Sequence, residues 1–195
     1  MTGSSSSPIL EVCVETIQQG LLAENYHADR IEFCHRLDLG GVTPDHDSIR
    51  SAVNTIKIPV KIMIRPRGGD FIYSDSEVDK MKSDIRYCKS IGVEEVVLGA
   101  LNEDGEVDNR LTQRLAKLAF PMKVTFHKAI DAVNNFMSSL KTLSTMENID
   151  SVLTSGTKKN ALSGKKYIKL ASKEFSGLLN IIAAGSITNQ NLKEI

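Results

Sequence analysis

The sequence lacks the features that mark several common functional classes. Its 24 basic and 24 acidic residues cancel to a formal net charge of zero. This balance does not favour a protein held on nucleic acid or on a membrane surface by bulk charge. No apolar run approaches the roughly 20 residues that a membrane-spanning helix requires, and Walker A, dinucleotide-binding and zinc-finger patterns are missing. We therefore expect a globular protein with neither a nucleic-acid nor a membrane partner.

Cysteine is scarce, and the first residues do not resemble an export signal. The chain has three cysteines, and residues 1–7 have neither a basic region nor an apolar core. Reduced thiols are therefore expected instead of a disulfide framework. We predict a disordered leader over residues 1–8, followed by one domain over residues 9–195, because this length is enough to bury a core.

Short β-branched runs alternate with longer amphipathic stretches, at about the length of one βα unit. Apolar periodicity indicates helices over 44–56, 75–91 and 109–119, and a further one from residue 136. Seven strands are predicted, at Ile9–Val14, Arg30–Cys34, Val60–Arg65, Glu95–Gly99, Lys123–His127, Ser151–Ser155 and Leu179–Gly185.

The strands favour a closed barrel over an open, doubly wound sheet. Strands covered by helices on both faces are continuously apolar, whereas here Glu11 and Cys13 alternate with Leu10, Val12 and Val14. The polar set would point into a barrel and the apolar set towards outer helices. We predict an α/β fold, a TIM-type (β/α) barrel with seven visible βα units. The eighth strand is missing, as expected for a chain truncated at its C-terminus.

Cys13 and Cys34 come near the ends of adjacent parallel strands and on their inward faces. Neighbouring strands lie about 4.8 Å apart, and paired thiolates suit a soft ion such as Cu(I). Cysteine is also among the residue types most often buried. The pair is therefore either a metal site or a part of the core.

Three further inward residues are candidates for acid–base chemistry. Glu11 and Glu32 lie on the same two strands, and like charges at close range raise one pKa. His127 ends the fifth strand, where a histidine can act as a general base or a ligand. Structural alternatives remain open, because lysine or arginine inside the barrel would neutralise the glutamates and a neighbour would satisfy the histidine.

Two segments are candidates for binding a small anion. Arg65 and Arg67 flank a proline after the third strand, and guanidinium groups fit carboxylates and phosphates. Ser155 and Gly156 follow the sixth strand, where small residues before a helix can hold an anion. An ion pair across the barrel mouth and a plain turn are the respective structural alternatives.

These residues fall in six blocks of the sequence, Leu10–Val14, Asp29–Cys34, Gly40–Pro44, Ile64–Phe71 with Tyr73-Ser74, Thr125–Asp131 and Leu153–Gly156. In this order the blocks resemble the CutC copper homeostasis family. The resemblance implies a (β/α) barrel, a cytosolic location, a homo-oligomer (dimer or tetramer) and an association with copper, with Cys13 and Cys34 as Cu(I) ligands.

Three functional hypotheses follow. The first is a cytosolic protein of copper homeostasis that binds Cu(I) through its cysteine pair at the barrel mouth. The second is a lyase- or isomerase-like barrel enzyme that acts on a small anionic or phosphorylated metabolite, with Arg65 and Arg67 on the anion. The third is a truncated product without independent activity.

Overall fold

The protein is described by a computed structural model that covers residues 8–195. Residues 1–7 of the predicted leader lie outside the described residues. The strands are β1 (Glu11–Val14), β2 (Arg30–Phe33), β3 (Val60–Met63), β4 (Glu95–Leu98), β5 (Lys123–Phe126), β6 (Ile149–Thr154) and β7 (Asn180–Ala183). The α-helices are α1 (Ile17–Asn25), α2 (His46–Thr55), α3 (Asp75–Ser90), α4 (Asn109–Ala119), α5 (Phe136–Ser144) and α6 (Ala161–Glu174).

The seven strands form one parallel sheet in the order of the chain, from β1 to β7. Each α-helix connects two consecutive strands, which is the repeating unit of a (β/α) barrel. Within residues 8–195, β1 pairs only with β2 and β7 only with β6, so the sheet curls without closing. The predicted barrel fold without an eighth strand is confirmed.

Helix starts follow local capping chemistry. Ser74 and Glu77 form a capping box at the start of α3, in which each side chain bonds the backbone N–H of the other. Thr16 and Gln19 form the same motif at the start of α1. These caps satisfy N–H groups that a helix leaves without a partner in its first turn, and they fix where the chain turns from each strand into its helix.

The main hydrophobic core lies between the sheet and its outer helices. It takes the apolar residues of each strand, for example Ile31 and Phe33 of β2 and Val124 and Phe126 of β5, and packs them against helix residues such as Leu115. The alternating polar residues of the strands therefore face the other way, into the barrel, as their sequence pattern predicts. None of the helices in residues 8–195 is long and apolar enough to cross a membrane.

Candidate functional site

A thiol cluster lies at the C-terminal ends of β1 and β2. Cys13 of β1 is in register with Glu32 of β2, and Cys34 follows directly after β2, so that all three side chains point to one side. The two Sγ atoms are 3.5 Å apart, and Cys13 Sγ–H donates to Glu32 Oε1 at 3.3 Å. The ligand atoms of these three residues lie within 4.8 Å of one another. The structure therefore brings together both predicted thiols and adds a carboxylate to them.

The environment of the cluster is apolar on one side and open on the other. Cys34 is fully buried and packs with Met63 and Val97, whereas Cys13 is exposed on the unpaired edge strand. The hydrogen bond with Cys34, burial and the negative charge of Glu32 all raise the pKa of the Cys13 thiol. Burial, followed by the charge of Glu11, raises the pKa of Glu32 to about 7. Near neutral pH the Cys13 thiol therefore keeps its proton, while Glu32 is only partly protonated and can accept one.

The second predicted glutamate, Glu11, belongs to a charge network deeper in the barrel. Its carboxylate pairs with Arg30 and with the buried Lys61 Nζ at 3.1 Å. Lys61 also pairs with Glu95 at 2.7 Å and donates to Thr125 Oγ1 at 3.0 Å. A cavity of about 910 Å³ opens at the N-terminal ends of the strands, where Arg30, Lys61 and Glu95 line it. Because each of these charges is already paired, the network stabilises the barrel interior without presenting a free acid or base.

Arg65 follows β3 and ties two loops together. Its Nη1 donates to the carbonyl oxygens of Leu39 at 2.9 Å and Gly41 at 3.0 Å, and its Nη2 donates to Gly69 O at 2.8 Å. Its Nε–H is buried without a hydrogen-bond partner. The side chain therefore holds the loop after β2 against the loop after β3 and leaves its Nε–H without an acceptor.

Arg67, the other predicted anion ligand, is engaged by its own loop and by α3. Its guanidinium group bonds Glu77 at 2.6 Å, Asp70 at 2.9 Å and the carbonyl of Ile72 at 2.8 Å. These bonds hold the segment that carries Phe71 across the mouth. Arg67 is thus paired with two carboxylates, as in the structural alternative to anion binding.

His127 follows β5 and is almost completely buried. Its Nδ1 accepts a hydrogen bond from the backbone N–H of Ala129 at 3.2 Å, and its Nε2 has no partner. Burial, followed by the positive charge of Arg65, lowers the pKa of His127 to about 3. The imidazole is therefore neutral at pH 7 and carries its proton on Nε2, as a hydrogen-bond donor.

A polar network that the sequence analysis did not single out follows β5 and β6. Asp131 accepts hydrogen bonds from the backbone N–H groups of Ser155 and Thr157 and from the side chains of Ser155 and Lys128. Burial alone would raise the pKa of Asp131, but these bonds and one from Thr154 hold it below its usual range. Lys128 Nζ donates to Ser155 Oγ at 2.7 Å. The spacing of Lys128 and Asp131, three residues apart after a strand, was the available signal in the sequence.

Ser155 and Gly156 lie where the sequence predicts, in the loop between β6 and α6. Ser155 is fully buried. Its hydroxyl accepts a hydrogen bond from Lys128 Nζ, and its single proton lies within reach of both Asp131 Oδ2 and the carbonyl oxygen of Lys158. Gly156 has a φ of +66°, which few other residues tolerate. The loop therefore has a defined shape that depends on Asp131, and its seryl oxygen lies beside a lysine ammonium group.

Taken by position, the predicted site residues fall into three groups around the mouth. Cys13, Glu32 and Cys34 form the thiol cluster, Arg65 and His127 lie at the ends of β3 and β5, and Ser155 with Gly156 follows β6. Glu11 lies below them in the charge network, and Arg67 lies outside on the loop.

Comparison with known proteins places this geometry in a family. Residues 8–195 match the model of the CutC family. The human copper homeostasis protein cutC homolog is 42% identical over 99% of this chain and 70% of its own length. A crystal structure of CutC from Streptococcus agalactiae superposes with a TM-score of 0.89 at 26% identity, over 96% of this chain and 92% of that one.

More distant structures share the fold alone. Oxaloacetate acetylhydrolase superposes with a TM-score of 0.66 at 10% identity, over 98% of this chain and 72% of that one. Such a likeness reports the barrel architecture and carries no information on chemistry. The match to the family model and the close relatives, in contrast, cover nearly the whole chain. The chain belongs to the CutC family.

Proposed function

We propose that the protein serves in copper homeostasis by binding Cu(I) through Cys13 and Cys34. The observation that carries the proposal is the 3.5 Å approach of the two Sγ atoms on adjacent strands. Thiolates are the ligands that Cu(I) prefers, and the pair needs no movement of the backbone to act on one ion. The name of the human relative, a copper homeostasis protein, supports the same reading.

The surroundings of the thiols suit the capture and release of this ion. Exposed Cys13 gives access from solvent, while buried Cys34 and its apolar neighbours Met63 and Val97 keep water from the other side. Glu32, already hydrogen-bonded to Cys13, accepts the thiol proton that metal binding displaces. The proposal includes a cytosolic location, where thiols remain reduced, and a homo-oligomeric state.

The test is an anaerobic titration of Cu(I) against a chromophoric competitor. Wild type is expected to bind one ion tightly, and Cys13→Ser/Cys34→Ser is expected to lose at least a hundredfold in affinity, because hydroxyl groups are poor ligands for a soft ion. Cys88→Ser is the matched control, since this third cysteine is buried in the main core away from the cluster. Equal copper binding by wild type and the double variant would refute the proposal.

A second candidate function is catalysis on a small anionic metabolite. A specific observation favours it, namely that Glu32 Oε2, Arg65 Nε and His127 Nε2 are buried polar atoms without partners. Such atoms cost free energy unless a ligand or water satisfies them. In this reading Arg65, Ser155 and Gly156 bind the substrate, and Glu32 and His127 contact its reacting part. Glu11 and Arg67 are already paired with Lys61 and Glu77, so they would stabilise the site without contacting the substrate.

A further inference from the structure

The most unusual charge in the molecule is that of Arg65. The residue is only 4% exposed, and within residues 8–195 no carboxylate lies within 4 Å of its guanidinium group. Its three hydrogen bonds go to neutral carbonyl oxygens. Arginine is almost never buried without a counter-charge, since removing an ion from water costs several kcal/mol. A buried cation of this kind calls for an anion.

His127 places a second unused donor near the first. The residue is 3% exposed, and the hydrogen bond that Nδ1 accepts from Ala129 assigns the proton to Nε2, which has no acceptor. Gly99 at the end of β4 makes room for the ring, because a Cβ there would lie 2.6 Å from His127 Nδ1. The orientation of this donor is thus fixed by two strands.

One aromatic side chain contacts both residues. The ring of Phe71 lies 4.8 Å from Arg65 Cζ and 5.0 Å from the centre of the His127 ring. Phe71 belongs to the loop after β3 that Arg67 holds in place through Asp70 and Ile72. Arg65 and His127 therefore lie against the same partly exposed ring, near the ends of β3 and β5.

We propose that Arg65 Nε–H and His127 Nε2–H bind the carboxylate group of a small organic acid beneath Phe71. This deepens the second candidate function by naming its ligand class, and it is independent of copper. Two donors match the two oxygens of a planar carboxylate, whose single charge balances that of Arg65. A water molecule would accept both bonds but would leave the charge uncompensated. A phosphate would bring a second negative charge, which the single charge of Arg65 would not balance.

The proposal is tested by calorimetric titration with acetate, oxalate, malonate and inorganic phosphate at constant ionic strength. Wild type is expected to bind at least one carboxylate more tightly than phosphate. His127→Phe keeps a ring but lacks the donor, and is expected to weaken binding roughly tenfold or more. His127→Gln restores a donor near the Nε2 position and is expected to recover most of the affinity. His127 is chosen because Arg65 also holds two loops, so that its replacement would disturb the fold.

Two further measurements separate this site from the thiol cluster and from a charged histidine. Cys13→Ser/Cys34→Ser is expected to bind the carboxylate as wild type does, and loss of binding in this variant would overturn the assignment. In Glu32→Gln, which lacks the carboxyl that titrates near pH 7, the affinity is expected to stay constant from pH 8 to pH 6, since a neutral imidazole donates throughout. Absence of binding by all three carboxylates, a preference for phosphate, an unaffected His127→Phe variant or an affinity of Glu32→Gln that rises steeply below pH 6.5 would each refute the proposal.

Discussion

His127 links the geometry of the mouth to the acid stability of the whole chain. Its pKa falls from 6.5 to about 3 on folding because the ring is buried beside Arg65. Between these two values the unfolded chain binds a proton that the folded chain does not, so stability decreases as the pH falls below 6.5. From pH 7 to pH 5 this single group is expected to lower the free energy of unfolding by about 2 kcal/mol.

Urea unfolding of wild type and His127→Gln at pH 7 and pH 5 measures this contribution. The variant has no titrating group at position 127, so its loss of stability over the same interval is expected to be smaller by that amount. Other histidines and carboxylates titrate in both proteins and cancel in the comparison. An equal loss of the free energy of unfolding from pH 7 to pH 5 in the two proteins would contradict the buried, neutral state of His127.

Individual site residues were predictable where strand periodicity fixes which way they face. Alternation in β1 and β2 put Cys13 and Cys34 on one side, and the register then brings Glu32 beside Cys13. The partners of Arg65 were not predictable, because its three hydrogen bonds go to carbonyl oxygens of two loops and none to an acidic side chain. Backbone acceptors leave no trace in residue type, so the sequence indicated only a small anion or an ion pair as the partner.

The helices divide in the same way between those that their sequence marks and those that it does not. Apolar periodicity predicted α2, α3, α4 and α5, whereas α1 and α6 were not predicted as helices. Both contain an interior glycine, Gly20 and Gly164, and glycine costs about 1 kcal/mol in a helix relative to alanine. In the structure each glycine is buried where the helix meets a neighbouring segment. Close packing explains a residue that local propensity disfavours.

Several strands end earlier than the sequence pattern predicts. β3 ends at Met63 and β7 at Ala183, two residues before the predicted ends at Arg65 and Gly185. Ile64 and Ala184 still donate backbone hydrogen bonds to Val97 and Thr154 of the neighbouring strands, so the chain leaves the sheet only after them. The predicted ends thus differ from the observed ones by no more than the usual spread in assigning where an element ends.

Gly164 supports a prediction on how α6 is seated. A Cβ at this position would lie 1.8 Å from the carbonyl oxygen of Ser155, which is backbone and has little freedom to move. Gly164→Ala is expected to lower the free energy of unfolding by roughly 2 kcal/mol or more through overpacking, despite the better helix propensity of alanine. Urea unfolding measures the change, and Ser163→Ala, an exposed substitution on the same helix, is the control with little expected effect.

A Gly164→Ala variant as stable as wild type would show that α6 can move away from the loop at no cost. The same substitution also reports on the mouth, because the displaced carbonyl belongs to the residue whose hydroxyl meets Lys128 and Asp131. Copper binding, in contrast, is expected to be unchanged in the variant. The thiol cluster lies on β1 and β2, at the opposite end of the strand order from β6 and β7, which flank α6 in the chain.

The overall architecture followed from the sequence because its signals repeat. Seven predicted strands, four of them with alternating polarity, recur at about the length of one βα unit from the second onward, and this leaves few ways to form a parallel sheet with outer helices. Curling of the sheet then brings the strand ends together, and the functional groups with them. What repetition cannot give is how loops from different units bond one another, as in the network around Asp131.

The two edge strands predict how the whole molecule associates. Within residues 8–195, β1 and β7 each leave one side of the strand unpaired, and exposed leucines lie beside both, at Leu10 and Leu178. Unpaired parallel edges with apolar neighbours favour pairing with another chain. Sedimentation velocity from about 5 to 100 μM, a range in which weak edge pairing is populated, is expected to show concentration-dependent self-association. Leu10→Lys/Leu178→Lys is expected to reduce it, because charge opposes edge pairing.

The control for this prediction is Ser83→Lys/Ser138→Lys, which adds the same two charges at exposed positions of α3 and α5. It is expected to associate like wild type, since these helices follow β3 and β5, in the middle of the sheet order and away from either edge. Reduced association in this control would assign the effect to net charge, and a wild type that stays monomeric throughout would refute edge pairing. Because Cys13 lies on β1 itself, copper affinity measured across the same concentrations shows whether association covers the thiol cluster.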